Sequence, residues 1–349
     1  MDQVLPITRI IEYAVRFSYF GEAMKPLLNI KETIALLTLT AFTLSGLAAE
    51  PIYPSKPLKM IVPYEPGGGV DIMGRLLARH LSTTLGQSIF IDNKPGGGGV
   101  VGTQALVNAA PDGYTIILAS TSPIVVAPFL VKKLSYNPQK DLLPVSLIAN
   151  NPAILLVEPN SPFNNLAQII AKAKSEPGQL TFSSSGIGGT GHLAAQLLKL
   201  LADVDLRHIA YKGTGPATMA LMSTQVDLSL TDLLAGMKFA KNGQLKAIAV
   251  TSAERLPMLP QVPSMAETVP GYVAGVWYGV FVPSKTSPEI INALNQAIVK
   301  TLKGTEMVNT LGQDGVTSIG SSPENFRKFI AEETERWGAV IRKTHVESE

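Results

Sequence analysis

The segment Ile61-Val62-Pro63-Tyr64-Glu65-Pro66-Gly67-Gly68-Gly69-Val70-Asp71 constrains the architecture of this chain more than any other. Leu58, Met60, Ile61 and Val62 form a short apolar run that suits a buried strand, and Ile72, Leu76, Leu77 and Leu81 then recur at helical spacing. Three consecutive glycines join the two, so main-chain N–H groups can approach a ligand with no Cβ in the way, beside the partly positive end of the helix that follows. A strand feeding such a loop and helix is the unit of an α/β fold. Its loop is either a plain turn or a cradle for a small anion.

Two better-known glycine loops do not fit. A dinucleotide fingerprint needs glycine or alanine five residues after Gly67, where Ile72 stands, and Asp71 would repel a pyrophosphate. Asp92, at the end of the next strand, imitates a ribose-binding acid, but the loop has already failed. A phosphate-binding Walker loop would end in Gly-Lys-Ser/Thr, and no such string is present.

The strand–loop–helix pattern then recurs. Ser88–Asp92 reads as a strand leading through Asn93-Lys94-Pro95-Gly96-Gly97-Gly98-Gly99 into a helix, and Tyr114–Ala119 reads as a strand ending at Ser120-Thr121-Ser122. After Leu142–Ala149 and Ala153–Val157, the strand Leu180–Ser185 enters the loop Gly186-Ile187-Gly188-Gly189-Thr190-Gly191-His192 and a helix through Leu201. Strands follow at Leu206–Ala210, Val226–Leu230 and Leu245–Val250, with Tyr211–Pro216 and Thr231-Asp232 opening further helices. Strands alternating with helices imply mainly parallel sheets buried on both faces, with ligands at the strands' carboxyl ends. The tail, with a strand at Val276–Pro283 and helices at Pro288–Leu302 and from Pro323 to about Lys343, returns to the first sheet. Ser322 is its N-cap, and Phe326, Phe329, Ile330, Trp337 and Ile341 form its core-facing side.

Ahead of all this, Lys25 and Lys31 precede the apolar run Ile34–Leu44, which ends in Ser45-Gly46-Leu47-Ala48-Ala49. That is the form of a secretory signal, too short for a comfortable membrane span, with cleavage expected after Ala48 or Ala49. Met24-Lys25-Pro26 makes a natural start, so translation is expected to begin at Met24 and not at Met1. Residues 1–49 hold four basic and four acidic residues, so the mature chain keeps 25 against 23 and a net charge of +2. A balance that small gives no case for nucleic acid or anionic membranes. With 46% hydrophobic and 16% charged residues, the chain is a packed globule large enough for two domains. It has no cysteine, so disulfide and thiol chemistry are excluded and the signal alone carries the expected localisation, which is periplasmic.

Enzyme signatures are missing from the sequence. There is no G-x-S-x-G or S-x-x-K string, and His80, His192, His208 and His345 lack metal-ligand spacing. A hydrolase would have to be assembled from distant residues.

Several strings together resemble one family. They are Tyr53-Pro54-Ser55-Lys56-Pro57, Val62–Asp71, Asn93–Gly99, Asp112-Gly113-Tyr114, Ser184-Ser185-Gly186, Thr190–Ala194, Tyr211-Lys212-Gly213, Gln225-Val226-Asp227, Ala249–Ser252, Leu259–Ser264 and Trp277-Tyr278-Gly279. In this order, over nearly all of residues 51–343, they resemble the Bug proteins, TctC-like substrate-binding components of tripartite tricarboxylate transporters. The resemblance implies an α/β type II periplasmic binding protein fold of two lobes, each with a mainly parallel sheet flanked by helices, around a ligand cleft. Lobe 1 is expected at 50–150 and 270–349 and lobe 2 at 151–269. It also implies a monomeric, non-enzymatic receptor that needs no cofactor or metal and delivers a small organic carboxylate to membrane permease subunits. The ligand is expected to be a di- or tricarboxylate, an aromatic acid or an acidic amino acid. A sensor feeding a signalling partner would share the same pocket.

Mapped on that family, the ligand-binding residues are Tyr64, Pro66, Gly67, Gly68, Gly69, Asp71, Ser120, Thr121 and Ser122 from the first lobe. Ser185, Gly186, Gly189, Thr190, His192, Thr214 and Asp232 come from the second. Several have plainer alternatives. Asp71 can complement its helix dipole, His192 can bond within its own turn, Asp232 can cap a helix and Lys212 can be a solvated loop charge. Glu65 beside an anion cradle must turn away or meet a cation, so a ligand bearing an amino group is expected if it points inward.

Overall fold

The structure, a computed structural model, describes residues 53–344 and 346. The expected leader, its Met24 start and its cleavage site lie outside the described residues.

Among the described residues, ten strands form two sheets that share one long strand. In the first sheet, β1 (Leu58–Val62) lies parallel to β2 (Ile89–Asn93) and β3 (Thr115–Ser120). Then come β9 (Gly275–Pro283), antiparallel to β3, and β4 (Leu142–Val157), antiparallel to β9, with the short β10 (Thr317–Ser318) on β4. In the second sheet, β5 (Thr181–Ser184) lies parallel to β6 (Arg207–Ala210) and β7 (Leu228–Asp232). β7 and β8 (Lys246–Val250) both pair antiparallel with β4.

The stretches Leu142–Ala149 and Ala153–Val157, read separately in the sequence, are thus one strand of 16 residues. Its first part, to Pro152, pairs with β9 in the first sheet, and from Ala153 onward it pairs in the second. β1–β3 in the first sheet and β5–β7 in the second are parallel as the alternation predicts, whereas β8, read in the same series, pairs antiparallel with β4. The antiparallel additions come from β4 and β9, whose direction follows from passing between sheets instead of returning over a helix.

Nine longer helices cover the sheets among the described residues: α1 (Gly69–Leu85), α2 (Val100–Val107), α3 (Leu166–Ser175), α4 (Thr190–Ala202), α5 (Thr214–Met222), α6 (Leu233–Lys241), α7 (Pro288–Leu302), α8 (Thr305–Gln313) and α9 (Pro323–Thr344). α1 shows why the sequence folds this way. Met73, Leu77 and Leu81 lie on one face and are fully buried with Met60, Val62, Ile116 and Leu118 of the first sheet. Each such side chain contributes about 1.5–3 kcal/mol by leaving water. Gly86, with φ of 68°, ends the helix in a left-handed turn. On α9, Phe326, Ile330, Trp337 and Ile341 are buried, and Ser322 accepts from the N–H of Asn325 at 3.2 Å, the cap the sequence indicates.

β1, β3, β5 and β7 all end on one rim. Tyr64, Ser120–Ser122, the loop 185–189 and Asp232 follow these ends and border a common cleft.

Candidate functional site

The cleft is lined by Tyr64, Glu65, Gly68–Val70, Ser120–Ser122, Ser185, Gly188–Thr190, Leu193, Gly213, Thr214, Asp232, Gly275 and Val276. Three helices begin on its wall. Their N-caps are Gly68, Gly189 and Gly213, none with a side chain to cap the first-turn amides. Elsewhere the chain does cap its helices with side chains: Asn165 for α3, Asp232 for α6 and Ser287 for α7. First-turn amides have no partner within the helix and carry its positive end, so the three starts make the cleft wall receptive to negative charge, although at α1 the Gly69 N–H already donates to Asp232. Hydroxyls of Ser120, Thr121, Ser122, Ser185, Thr190 and Thr214 stand among them. The lining has no Lys, Arg or His.

The glycines of the first loop serve three different purposes. Gly67 adopts φ of 85°, which side chains disfavour. Gly68 takes an ordinary extended conformation, and a Cβ there would meet nothing closer than Thr214 Oγ1 at 3.7 Å, so its bare face fronts the cleft. Gly69 is packed where the two sheets meet: an added Cβ would lie 2.1 Å from Asp232 Oδ1 of β7 and 2.6 Å from Tyr278 Oη of β9.

Asp71 holds this loop in shape. Its carboxylate accepts from the Gly67 N–H, Arg75 Nε and Asn93 Nδ2, each at 2.9 Å. Burial alone would raise its pKa; these three partners outweigh burial and hold the carboxyl below its ordinary value. Asp71 does not line the cleft.

Asp232 sits where the sheets meet. Its Oδ1 caps α6 by accepting from Ala235 N–H at 3.0 Å, and it also accepts from Asn151 Nδ2 at 3.3 Å and from the Gly69 N–H. Asn151 Nδ2 also donates to Tyr278 Oη at 2.6 Å, and its Oδ1 accepts from Leu234 N–H at 3.3 Å. Burial pushes the Asp232 carboxyl above its ordinary value despite these donors, and the Tyr278 hydroxyl is raised by burial and by Asp232 beside it. Asp232 therefore both lines the cleft and caps a helix, combining the two readings the sequence left open.

His192 supports the cleft from behind. Its Nδ1 accepts from the Gly188 N–H at 3.0 Å, its Nε2 meets Gln196 Nε2 at 3.1 Å, and its ring stacks on His208 at 4.4 Å between centroids. Burial, with His208 and Lys199 nearby, pulls its pKa down to about 3, so the ring is neutral and Nδ1 is free to accept. On the other wall, Ser120 Oγ lies 2.7 Å from Tyr64 Oη, which donates to the Gly98 carbonyl at 3.1 Å. Burial pushes the Tyr64 hydroxyl up to about 12.

Of the residues expected to bind ligand, the cleft brings together Tyr64, Gly68, Gly69, Ser120, Thr121, Ser122, Ser185, Gly189, Thr190, Thr214 and Asp232. Pro66, Gly67, Asp71, Gly186 and His192 lie outside its lining; Asp71 and His192 instead hold the loops that form it. Val70, Leu193, Gly275 and Val276 line it too, without a signal in the sequence beyond ordinary core apolarity. Among the described residues, no group of three or more His, Cys, Asp or Glu side chains is placed to hold a metal ion.

The family profile described as Tripartite tricarboxylate transporter family receptor (TctC) matches residues 73–346. The chain belongs to this family. It is 36% identical over 323 residues to Protein BugT of Bordetella pertussis, an alignment covering 91% of this chain and 98% of that protein. Among solved structures it is similar to Rpa4515 of R. palustris with adipate, at 30% identity and TM-score 0.82, covering 85% of this chain and 100% of that one. It is also similar to MatC (Rpa3494) of Rhodopseudomonas palustris with bound malate, at 31% identity and TM-score 0.78, covering 83% and 100%. The fold is the α/β fold of periplasmic binding proteins, and the family is one of solute receptors, not enzymes.

Proposed function

We propose that the cleft binds a small organic carboxylate and that the protein, working in the periplasm, presents it to the membrane subunits of a tripartite tricarboxylate transporter. The observation that carries this reading is the convergence of three helix N-termini whose N-caps are glycine and six serine and threonine hydroxyls on a wall with no cationic side chain. Amides and hydroxyls can hold a carboxylate by hydrogen bonds, and without a buried guanidinium clamp the hold is readily reversed. Reversibility suits a carrier that must release its load. The adipate and malate bound by two similar structures support the ligand class.

In this reading the two sheets would make the two lobes expected at 50–150 with 270–349 and at 151–269. Their relative motion about the β4 crossing would close the cleft on a ligand and change the outer surface met by the permease. Thermal melting of the purified protein against carboxylates, neutral sugars and simple amines tests the reading. Ligand at 100 times its Kd adds about 2.7 kcal/mol of stability. A rise with one or more carboxylates and none with sugars is expected; a rise with sugars alone would overturn it.

A further inference from the structure

One ionisable group at the cleft has no role in the geometry described so far. Glu65 follows Tyr64 beyond the end of β1, is exposed, and borders the inner cleft. It also borders a wider outer groove, where Val126, Leu130 and Ile187 are joined by Lys132, Lys133 and Lys212. The other two carboxylates nearby are already engaged, Asp71 by Gly67, Arg75 and Asn93, and Asp232 by α6, Asn151 and Gly69. Among the described residues Glu65 forms no ion pair. The three lysines border only the outer groove, so no cationic side chain lines the inner cleft that Glu65 also borders.

An unpaired carboxylate at the mouth of an anion-receptive cleft works against a ligand that carries only negative charge. It favours one with a positive group a short distance from its carboxylate. The inner wall and Glu65 together present helix N-termini first and a carboxylate beside them, the complement of a zwitterion. We propose that Glu65 is a specificity-determining residue that receives the ammonium group of an amino carboxylate whose acid group lies at the α1, α4 and α5 N-termini. This rests on the carboxylate reading of the cleft and narrows its ligand class. The competing role for Glu65 is a latch across the cleft: its Cβ lies 3.7 Å from where a Cβ on Gly213 would stand, next to Lys212. A latch would favour closure over every ligand alike.

Calorimetric titration with acids matched but for one amino group separates these roles: succinate with L-aspartate, glutarate with L-glutamate, and butyrate with 4-aminobutyrate. The amino member of at least one pair is expected to bind about tenfold more tightly or better, and Glu65→Gln is expected to erase that preference while leaving the amine-free member as tight or tighter. Lys212→Gln is expected to keep the preference. The proposal is overturned if the wild type binds amine-free acids in preference to their amino partners, or if Glu65→Gln weakens both members of a pair equally. If the wild type binds none of these acids, nor adipate or malate, the carboxylate reading fails and the proposal with it; binding of amine-free acids alone removes only the proposal.

Discussion

Gly68 and Gly69 are neighbours in sequence, and one methyl group on each has opposite consequences. At Gly69 the methyl would lie 2.1 Å from Asp232 Oδ1 and 2.6 Å from Tyr278 Oη, both buried and both tied to Asn151. Relief requires moving the α1 start or breaking the Asp232–Asn151–Tyr278 connections. Overpacking of this kind costs about 1–3 kcal/mol, and a buried polar group left unpaired costs a similar amount again. Gly69→Ala is therefore expected to destabilise the ligand-free protein by about 2–5 kcal/mol, or roughly 2 °C of melting temperature for each kcal/mol. At Gly68 the methyl meets Thr214 Oγ1 at 3.7 Å and the Glu65 carbonyl at 3.8 Å, ordinary contacts, on a backbone with φ of −81° that alanine tolerates. The weaker capping by alanine offsets the entropy it removes from the unfolded chain, leaving a change within about 0.5 kcal/mol. Urea unfolding of both variants without ligand measures the contrast. Equal destabilisation by the two alanines, or an unaffected Gly69→Ala, would refute the packing that leaves one glycine open to the cleft and buries the other in the junction.

Further consequences follow from the groups behind the cleft. His192 has a pKa of about 3 in the folded protein against an ordinary 6.5, so the unfolded chain binds the proton more readily between these values. The stability this contributes is complete above pH 6.5 and declines as pH falls toward 3; by about pH 5 the loss is about 2 kcal/mol, and His192→Gln should flatten that part of a stability–pH curve. Asp71→Asn removes the charge that binds Arg75 and one acceptor for Gly67 or Asn93, and should cost about 1–3 kcal/mol in urea unfolding. Because the folded Asp71 carboxyl lies below its ordinary 3.8, the part of stability it supplies is present above that value and is lost as pH falls from it through the lower folded value, and the variant should lack this loss. Gly191→Ala would place a methyl 1.7 Å from the Leu230 carbonyl, between α4 and β7, and should lower the urea midpoint at least as much as Gly69→Ala.

Much of the architecture was legible because strand and helix periods alternate cleanly around the glycine loops. The strand before Gly67 and the helix beyond it lie where the apolar spacing puts them. The crossing of β4 was not legible: Asn150-Asn151-Pro152 reads as a break, yet Asn150, Asn151 and Pro152 stay in register with Trp277, Val276 and Gly275 of β9. Their pairing depends on a strand more than a hundred residues away, which local pattern does not encode. At the cleft, Gly68, Gly69, Gly189 and the Ser and Thr hydroxyls stand on the rim because they follow strand ends, whereas Gly67 and Gly186, read from the same loops, lie outside its lining. Asp71 and His192 carry the same sequence signal as ligand contacts, a polar residue at a helix start, and only the direction of the side chain separates loop support from ligand binding. Gly69 gave no warning either, since the partner that forbids its Cβ arrives from residue 232.

The central claim is that the inner cleft holds a small carboxylate on the α1, α4 and α5 N-termini, and calorimetric titration of the wild type and Gly68→Val against adipate, malate and the matched acids tests it most directly. The account predicts saturable one-to-one binding of at least one acid to the wild type and a loss of about 100-fold or more in the variant, which is about 2.7 kcal/mol. The variant's melting temperature without ligand should stay close to the wild type's. Carboxylate binding that survives a valine at position 68 would contradict the account, as would a wild type that binds no carboxylate at all.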